Sequence, residues 1–149
     1  MLLCLAHLLR SVYYFFTCPI LLGVRVMLIQ NGQVLLVRHT YVDGWYFPGG
    51  GLKRGETLEA AARREVREEA GVESGALELV GIYTSHVWKT DHNALFRCVD
   101  FTIVGESDSE IAEARFFSLE TLPEGIIPGH RQRIEEFRDV KPSPKFGAW

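Results

Sequence analysis

The sequence predicts a three-layer α/β/α sandwich on one mixed β-sheet, and three features carry that expectation. Two aliphatic runs, Gly23 to Gln30 (GVRVMLIQ) and Gln33 to His39 (QVLLVRH), flank Asn31-Gly32, a dipeptide suited to a two-residue hairpin turn. A glycine-rich turn then leads into a helix that Thr57 can cap and Gly71 can close in the left-handed conformation. Further strand-like runs precede a second helix, Pro128 to Arg138. Helices interleaved with strands bury their apolar faces by covering a sheet.

Taken in order, Leu5, Leu8, Leu9, Val12 and Phe16 recur at helical spacing while His7, Arg10, Tyr14 and Thr17 fall largely opposite, which predicts an amphipathic helix ended by Pro19. Arg10 interrupts the apolar run short of the roughly 20 residues a spanning helix needs. No positive charge precedes that run and no small-residue cleavage site follows it, which disfavours a secretory leader. The helix is expected to pack on the domain or on a second copy in a homodimer. Peripheral membrane contact through residues 1–18 is the alternative.

Beyond the hairpin, Asp43-Gly44 marks a turn before the aromatic stretch Trp45 to Phe47, and Pro48 with three glycines forms a loop able to approach a ligand closely. Ala76 to Trp88 and Asn93 to Val104 read as two long strands joined by residues 89–92, and Ala114 to Leu119 as another. In the last helix Ile134 and Phe137 point inward and Arg131 and Arg133 outward. The tail from Lys141 carries two prolines and is expected to be extended. This divides the chain into an N-terminal helical extension (1–20), one domain (21–140) and a tail (141–149).

At 149 residues the chain can bury a core without staples. Its formal net charge is −3, and no stretch combines clustered Lys or Arg with interleaved aromatics, so a nucleic-acid polymer is not the expected partner. Cys4, Cys18 and Cys98 are odd in number and widely spaced, which suggests buried thiols in a reducing, cytoplasmic setting.

The chemistry concentrates in residues 50–72, GGLKRGETLEAAARREVREEAGV. At about 100° per residue, Glu68 and Glu69 lie roughly 60° and 40° to either side of Glu65, forming one acidic strip. Leu58, Ala61 and Ala62 share that strip, while Arg63 and Arg67 take the far side, so the acids are expected to face the body of the protein. Clustered carboxylates repel and resist desolvation. A hard cation relieves both, and all-oxygen ligand sets suit Mg²⁺ or Mn²⁺. The ordinary reading, an exposed helix laced by Glu59–Arg63 and Arg64–Glu68 pairs, accounts for the charges but not for the glycine turn or the apolar neighbours.

This segment resembles the Nudix box. Gly50, five residues, Glu56, seven residues, then Arg64-Glu65-Val66-Arg67-Glu68-Glu69-Ala70-Gly71-Val72 fill every fixed position of the pattern, and Trp45-Tyr46-Phe47-Pro48-Gly49 is similar to its lead-in. The resemblance implies the same sandwich fold and a hydrolase that cleaves the pyrophosphate bond of a nucleoside diphosphate linked to another moiety. It further implies that Glu65, Glu68, Glu69 and the Gly49 carbonyl hold the metal, that Arg64 orients a box glutamate, and that Glu56 supports from behind. A water made acidic by the metal is the expected nucleophile. Family members add an acid from a loop beyond the box, and Glu110 is the candidate here, with Glu65 as the alternative base.

Substrate selection lies outside the box. Trp45, Tyr46 and Trp88 are candidates for stacking on a planar group, and Arg38, Arg25, His86 and His92 for touching phosphates. Core aromatics and strand-face charges are the commoner use of such residues. Nucleoside triphosphates, ADP-ribose or nucleotide sugars, and dinucleoside polyphosphates fit equally. A P-loop nucleotidase is disfavoured because no glycine precedes Lys-Ser or Lys-Thr at the required spacing. A non-catalytic Nudix module that binds a nucleotide or partner is the competing class, although such modules typically lose box carboxylates.

Overall fold

Alternate residues of β1 (Leu21–Gln30) and β2 (Gln33–His39) enter two different cores, and this splits the molecule into three layers. In the computed structural model, which describes residues 2–17, 20–85, 91–139 and 145–149, Val24, Val26, Leu28, Leu35 and Val37 pack against Ala61, Ala62, Val66 and Ala70 of helix α2 (Leu58–Ala70). Met27, Ile29, Val34 and Leu36 pack on the other face with Ile134 of helix α3 (Pro128–Asp139). Helix α1 (Leu2–Thr17) precedes the sheet.

The remaining strands are β3 (Val72–Ser74), β4 (Glu78–Ser85), β5 (Asp91–Cys98), β6 (Phe101–Ile103), β7 (Ile111–Ser118) and β8 (Lys145–Ala148). Six of the eight form one sheet in the order β7-β2-β1-β5-β4-β8, while β3 and β6 pair separately. The sheet is mixed, because β1–β5 and β4–β8 run parallel and the other neighbours antiparallel.

The hairpin turns at Asn31 (φ 53°) and Gly32 (φ 72°), both left-handed as a tight hairpin turn requires. Away from that turn β1 and β2 part, and residues 46–50 enter the gap. Tyr46 exchanges both backbone hydrogen bonds with Val37 at 2.9 Å, while Val24 and Val26 donate to Gly50 and Pro48 at 2.9 Å. The glycine loop is thereby held by sheet hydrogen bonds.

Four expectations change. The run from Asn93 to Val104 breaks after Cys98, because the Asp100 carbonyl accepts from the Gly75 N–H at 2.7 Å and from the Cys98 thiol at 3.2 Å and turns the chain into β6. Strand β7 begins at Ile111 rather than Ala114, with an irregularity opposite Arg38/His39. Within the tail, Lys145–Ala148 form β8 at the sheet edge, and Trp149 packs with Tyr83 and His130. Arg133 is buried rather than solvated, with its guanidinium 4.2 Å from the Tyr83 ring centroid and 3.1 Å from Glu136. In α1, Leu5, Leu8, Leu9, Val12 and Tyr13 are exposed, so this apolar stripe is not covered by the domain.

Candidate active site

Helix α2 is fixed at both ends by its sequence. Thr57 Oγ1 accepts from the Ala60 N–H at 3.1 Å, and Gly71 at φ 61° returns its own N–H to the Val66 and Arg67 carbonyls. That phase buries Ala61, Ala62, Glu65, Val66 and Glu69 together and leaves the Glu68 side chain 43% exposed. Two of the three strip carboxylates thus face the protein and the third borders solvent.

The glycine loop meets these acids directly. Glu69 Oε2 accepts the Gly49 N–H at 2.8 Å. A Cβ at Gly50 would lie 2.7 Å from Glu65 Oε1, and one at Gly49 (φ 151°) only 2.1 Å from the Val24 carbonyl oxygen. Position 49 therefore requires glycine, whereas a side chain at Gly50 would displace the Glu65 carboxylate. Arg64 joins the cluster from outside, donating to Glu56 (2.8 and 2.9 Å), Glu65 (2.6 Å), Glu68 (3.1 Å) and the Gly51 carbonyl (3.1 Å). Arg25 donates to the Gly49 carbonyl at 2.5 Å.

Charge follows from these contacts. Burial pushes the Glu69 carboxyl up to about 8, with Arg25 and then the Gly49 N–H acting against it. Burial also raises Glu65, opposed first by its hydrogen bond from Arg64. The Arg64 hydrogen bonds, with the Lys53 N–H behind them, hold Glu56 down at about 2. His39, buried at the end of β2 with Nδ1 3.9 Å from Glu69, is lowered to about 4 by burial and then by Arg25.

Among the described residues no three His, Cys, Asp or Glu side chains converge into a preformed cation cage. The donor set nevertheless fits a hard cation, because the Gly49 carbonyl and the Glu65 and Glu68 carboxylates already attract guanidinium groups. Two buried carboxylates beside a backbone carbonyl are oxygen ligands of the kind Mg²⁺ and Mn²⁺ take.

A cleft of about 480 Å³ opens beside this cluster. Glu65, Glu69, Gly49 and Glu110 line it together with Arg25, His39, Tyr41, Asp91 and Asn93. Glu110 is carried there by its loop, in which the Asp108 N–H donates to the Glu68 carbonyl at 2.8 Å and Asp108 Oδ1 accepts the Glu110 N–H at 3.0 Å. Arg38 and Trp45 are not brought to this cleft. Arg38 pairs with Glu113 at 3.0 Å, and Trp45 is a core residue stacked edge-on to Phe117. His92 hydrogen-bonds Thr84 at 2.9 Å. Trp88 and His86 lie outside the described residues. Asn93, Asp91, Tyr41 and His39 carry no motif; only folding reveals them, although a polar residue opening the aliphatic run Ala94 to Phe96 was a faint signal.

The fold and this site define a Nudix hydrolase. The NUDIX domain family profile matches residues 19–137, and the chain belongs to that family and is a pyrophosphohydrolase by class. It is 27% identical over 114 residues to a Bacillus subtilis (strain 168) protein provisionally named 8-oxo-dGTP diphosphatase, covering 76% of each. It is 33% identical over 128 residues to the NAD-capped RNA hydrolase NudC of Pseudomonas aeruginosa (strain LESB58), covering 83% of this chain but 44% of that one. A solved NUDIX hydrolase from Nitrosomonas europaea superposes with a TM-score of 0.72 at 26% identity, covering 85% and 93% of the two chains.

Proposed function

We propose that the protein is a Mg²⁺- or Mn²⁺-dependent hydrolase of the pyrophosphate bond in a nucleoside diphosphate linked to another moiety, acting in the cytoplasm on small nucleotide-type substrates. The observation that carries this reading is Glu65 and Glu69 buried against Gly49 and Gly50, with Arg64 tying Glu56, Glu65 and Glu68 into one array. Glu65, Glu68, Glu69 and the Gly49 carbonyl would hold the cation. When bound, it supplies charge neutralisation of the phosphoryl oxygens and activation of an attacking water.

The chain's own residues do the rest. Arg64 fixes the Glu65 and Glu68 carboxylates, and Glu56 fixes Arg64. Glu110, at the cleft wall, takes a proton from water, with Glu65 as the alternative base. Arg25 and His39 form the floor, where Arg25 offers a second cation to substrate oxygens. The names of the relatives support a nucleotide pyrophosphate as substrate. The exposed stripe of α1 is the surface for a homodimer or for peripheral membrane contact. No helix among the described residues is long and apolar enough to cross a membrane.

The competing reading, a non-catalytic binding module, is disfavoured because every box carboxylate is kept. The test is product analysis, resolving nucleotides, pyrophosphate and sugar phosphates, on nucleoside triphosphates, ADP-ribose, nucleotide sugars and dinucleoside polyphosphates with Mg²⁺ or Mn²⁺, comparing wild type with Glu68→Gln and Glu69→Gln. Turnover that collapses in both variants and with chelator supports the hydrolase. A folded, metal-supplied protein inert on the whole panel sinks it in favour of the binding module.

A further inference from the structure

Strand β5 brings to the cleft a polar side chain that no protein group engages among the described residues. Asn93 is only 7% exposed, lines the cleft, and among the described residues no hydrogen bond engages its side-chain amide. Its polar atoms still reach the water of the cleft, and a ligand that displaces that water must replace the hydrogen bonds it made. Asp91, two residues earlier on β5 and on the same strand face, lines the cleft beside it.

The position of this pair relative to the carboxylates follows from the sheet. Asn93 pairs with Gly23 of β1, and Gly23 bridges to Gly51 on its other side. Two strand spacings therefore separate the Asn93 backbone from the glycine loop, about 10 Å. Between them lies Gly23, where a Cβ would come within 3.0 Å of Asn93 Oδ1 and 3.1 Å of the Gly50 carbonyl. Glycine keeps that stretch of the floor clear.

We infer that Asn93 and Asp91 bind the vicinal hydroxyls of a sugar joined to the substrate's phosphate. The inference rests on the hydrolase reading for the identity of the site, though its own test is independent of turnover. A carboxylate beside an amide offers acceptors to two neighbouring hydroxyl protons and one donor back to a hydroxyl oxygen, which a phosphate or an apolar group cannot use as fully. The sugar has two sources: the ribose of the nucleoside, or a second sugar on the far side of the pyrophosphate.

Two measurements test it on the full chain. In ¹H–¹⁵N spectra, ribose 5-phosphate shifts the Asn93 side-chain amide, identified by its loss in Asn93→Ala, while 2-deoxyribose 5-phosphate shifts it much less. In Mg²⁺ kinetics, Asn93→Ala and the milder Asp91→Ala, each checked by thermal melting, raise KM about tenfold with the loss confined to KM. Discrimination between ATP and 2′-deoxy-ATP that vanishes in Asn93→Ala assigns the sugar to the nucleoside. An advantage of ADP-ribose over both that vanishes instead assigns it to the distal sugar. An unshifted Asn93 amide at saturating ribose 5-phosphate, or an unchanged KM for all three substrates in both folded variants, overturns the proposal. If wild type turns over none of the three but ribose 5-phosphate still shifts the amide, the sugar site stands and the hydrolase reading is what has failed.

Discussion

Glu69 Oε2 accepts the backbone N–H of Gly49 at 2.8 Å, so the most buried acid of α2 and the turn of the glycine loop are one unit. In the metal-free protein burial pushes this carboxyl up to about 8, and a divalent cation beside it would hold it ionised. Stability and cation binding are therefore coupled at this residue. Wild type is expected to melt higher on adding Mn²⁺, by about 2.7 kcal/mol of stabilisation at a hundredfold excess over Kd. Glu69→Gln, which keeps the volume and an acceptor for Gly49, should fold at least as well without metal yet lose that increment. Melting curves with and without Mn²⁺ decide it, and an equal metal shift in the variant would remove Glu69 from the ligand set.

Gly49 and Gly50 are adjacent glycines with different jobs. A side chain at Gly49 meets backbone, the Val24 carbonyl at 2.1 Å, in a conformation that L residues rarely adopt, so Gly49→Ala should cost roughly 3 kcal/mol or more. At Gly50 the neighbour is the Glu65 carboxylate at 2.7 Å, a side chain that can swing away. Gly50→Ala should therefore melt near wild type but hydrolyse poorly. Parallel urea titrations and initial rates separate the two, and equal destabilisation would contradict the assignment.

Arg64 spans Glu56, Glu65, Glu68 and the Gly51 carbonyl with one planar fork. A lysine supplies the charge but cannot reach four acceptors in that geometry. Arg64→Lys should lower kcat roughly 10- to 100-fold, as loss of an orienting group does. Its melting temperature should change little. A rate within twofold of wild type would mean that the carboxylates are placed without it.

What could be read from the sequence and what could not divides along chain distance. The hairpin at Asn31-Gly32, the caps Thr57 and Gly71, and the inward phase of Glu65 and Glu69 are local properties, set by turn chemistry and helical period. The break after Cys98 depends on Gly75, far away in the chain, donating to Asp100. Trp149 reads as tail yet meets Gly129 and His130, where a Cβ on Gly129 would lie 2.4 Å from its indole. Trp45 looks like a stacking platform in sequence, and only the strand on which Phe117 lies makes it core. The cleft is the extreme case, since Arg10, His39, Asn93 and Glu110 come from four separate elements.

His130 offers a pH-dependent test of the α3 layer. It is almost completely buried, and its Nδ1 accepts the Phe47 N–H at 3.2 Å, a bond that needs the unprotonated nitrogen. Burial, and then the nearby Arg25 and His39, hold its pKa well below the ordinary 6.5. The unfolded chain therefore takes up a proton near pH 6.5 that the folded chain refuses. Stability from this residue is complete above that pH and is lost as pH falls, by about 1.4 kcal/mol per unit. His39, lowered to about 4, works in the same direction, whereas Glu69, raised to about 8 without metal, loses stability as pH rises. Subtracting a His130→Asn variant isolates the one residue, because the asparagine oxygen can replace Nδ1 as acceptor but does not titrate. Urea midpoints at pH 8, 6 and 5 should show the advantage of wild type over the variant steady from pH 8 to about 6.5 and shrinking below it. A difference that stays constant down to pH 5 would mean that His130 accepts its proton within the folded protein.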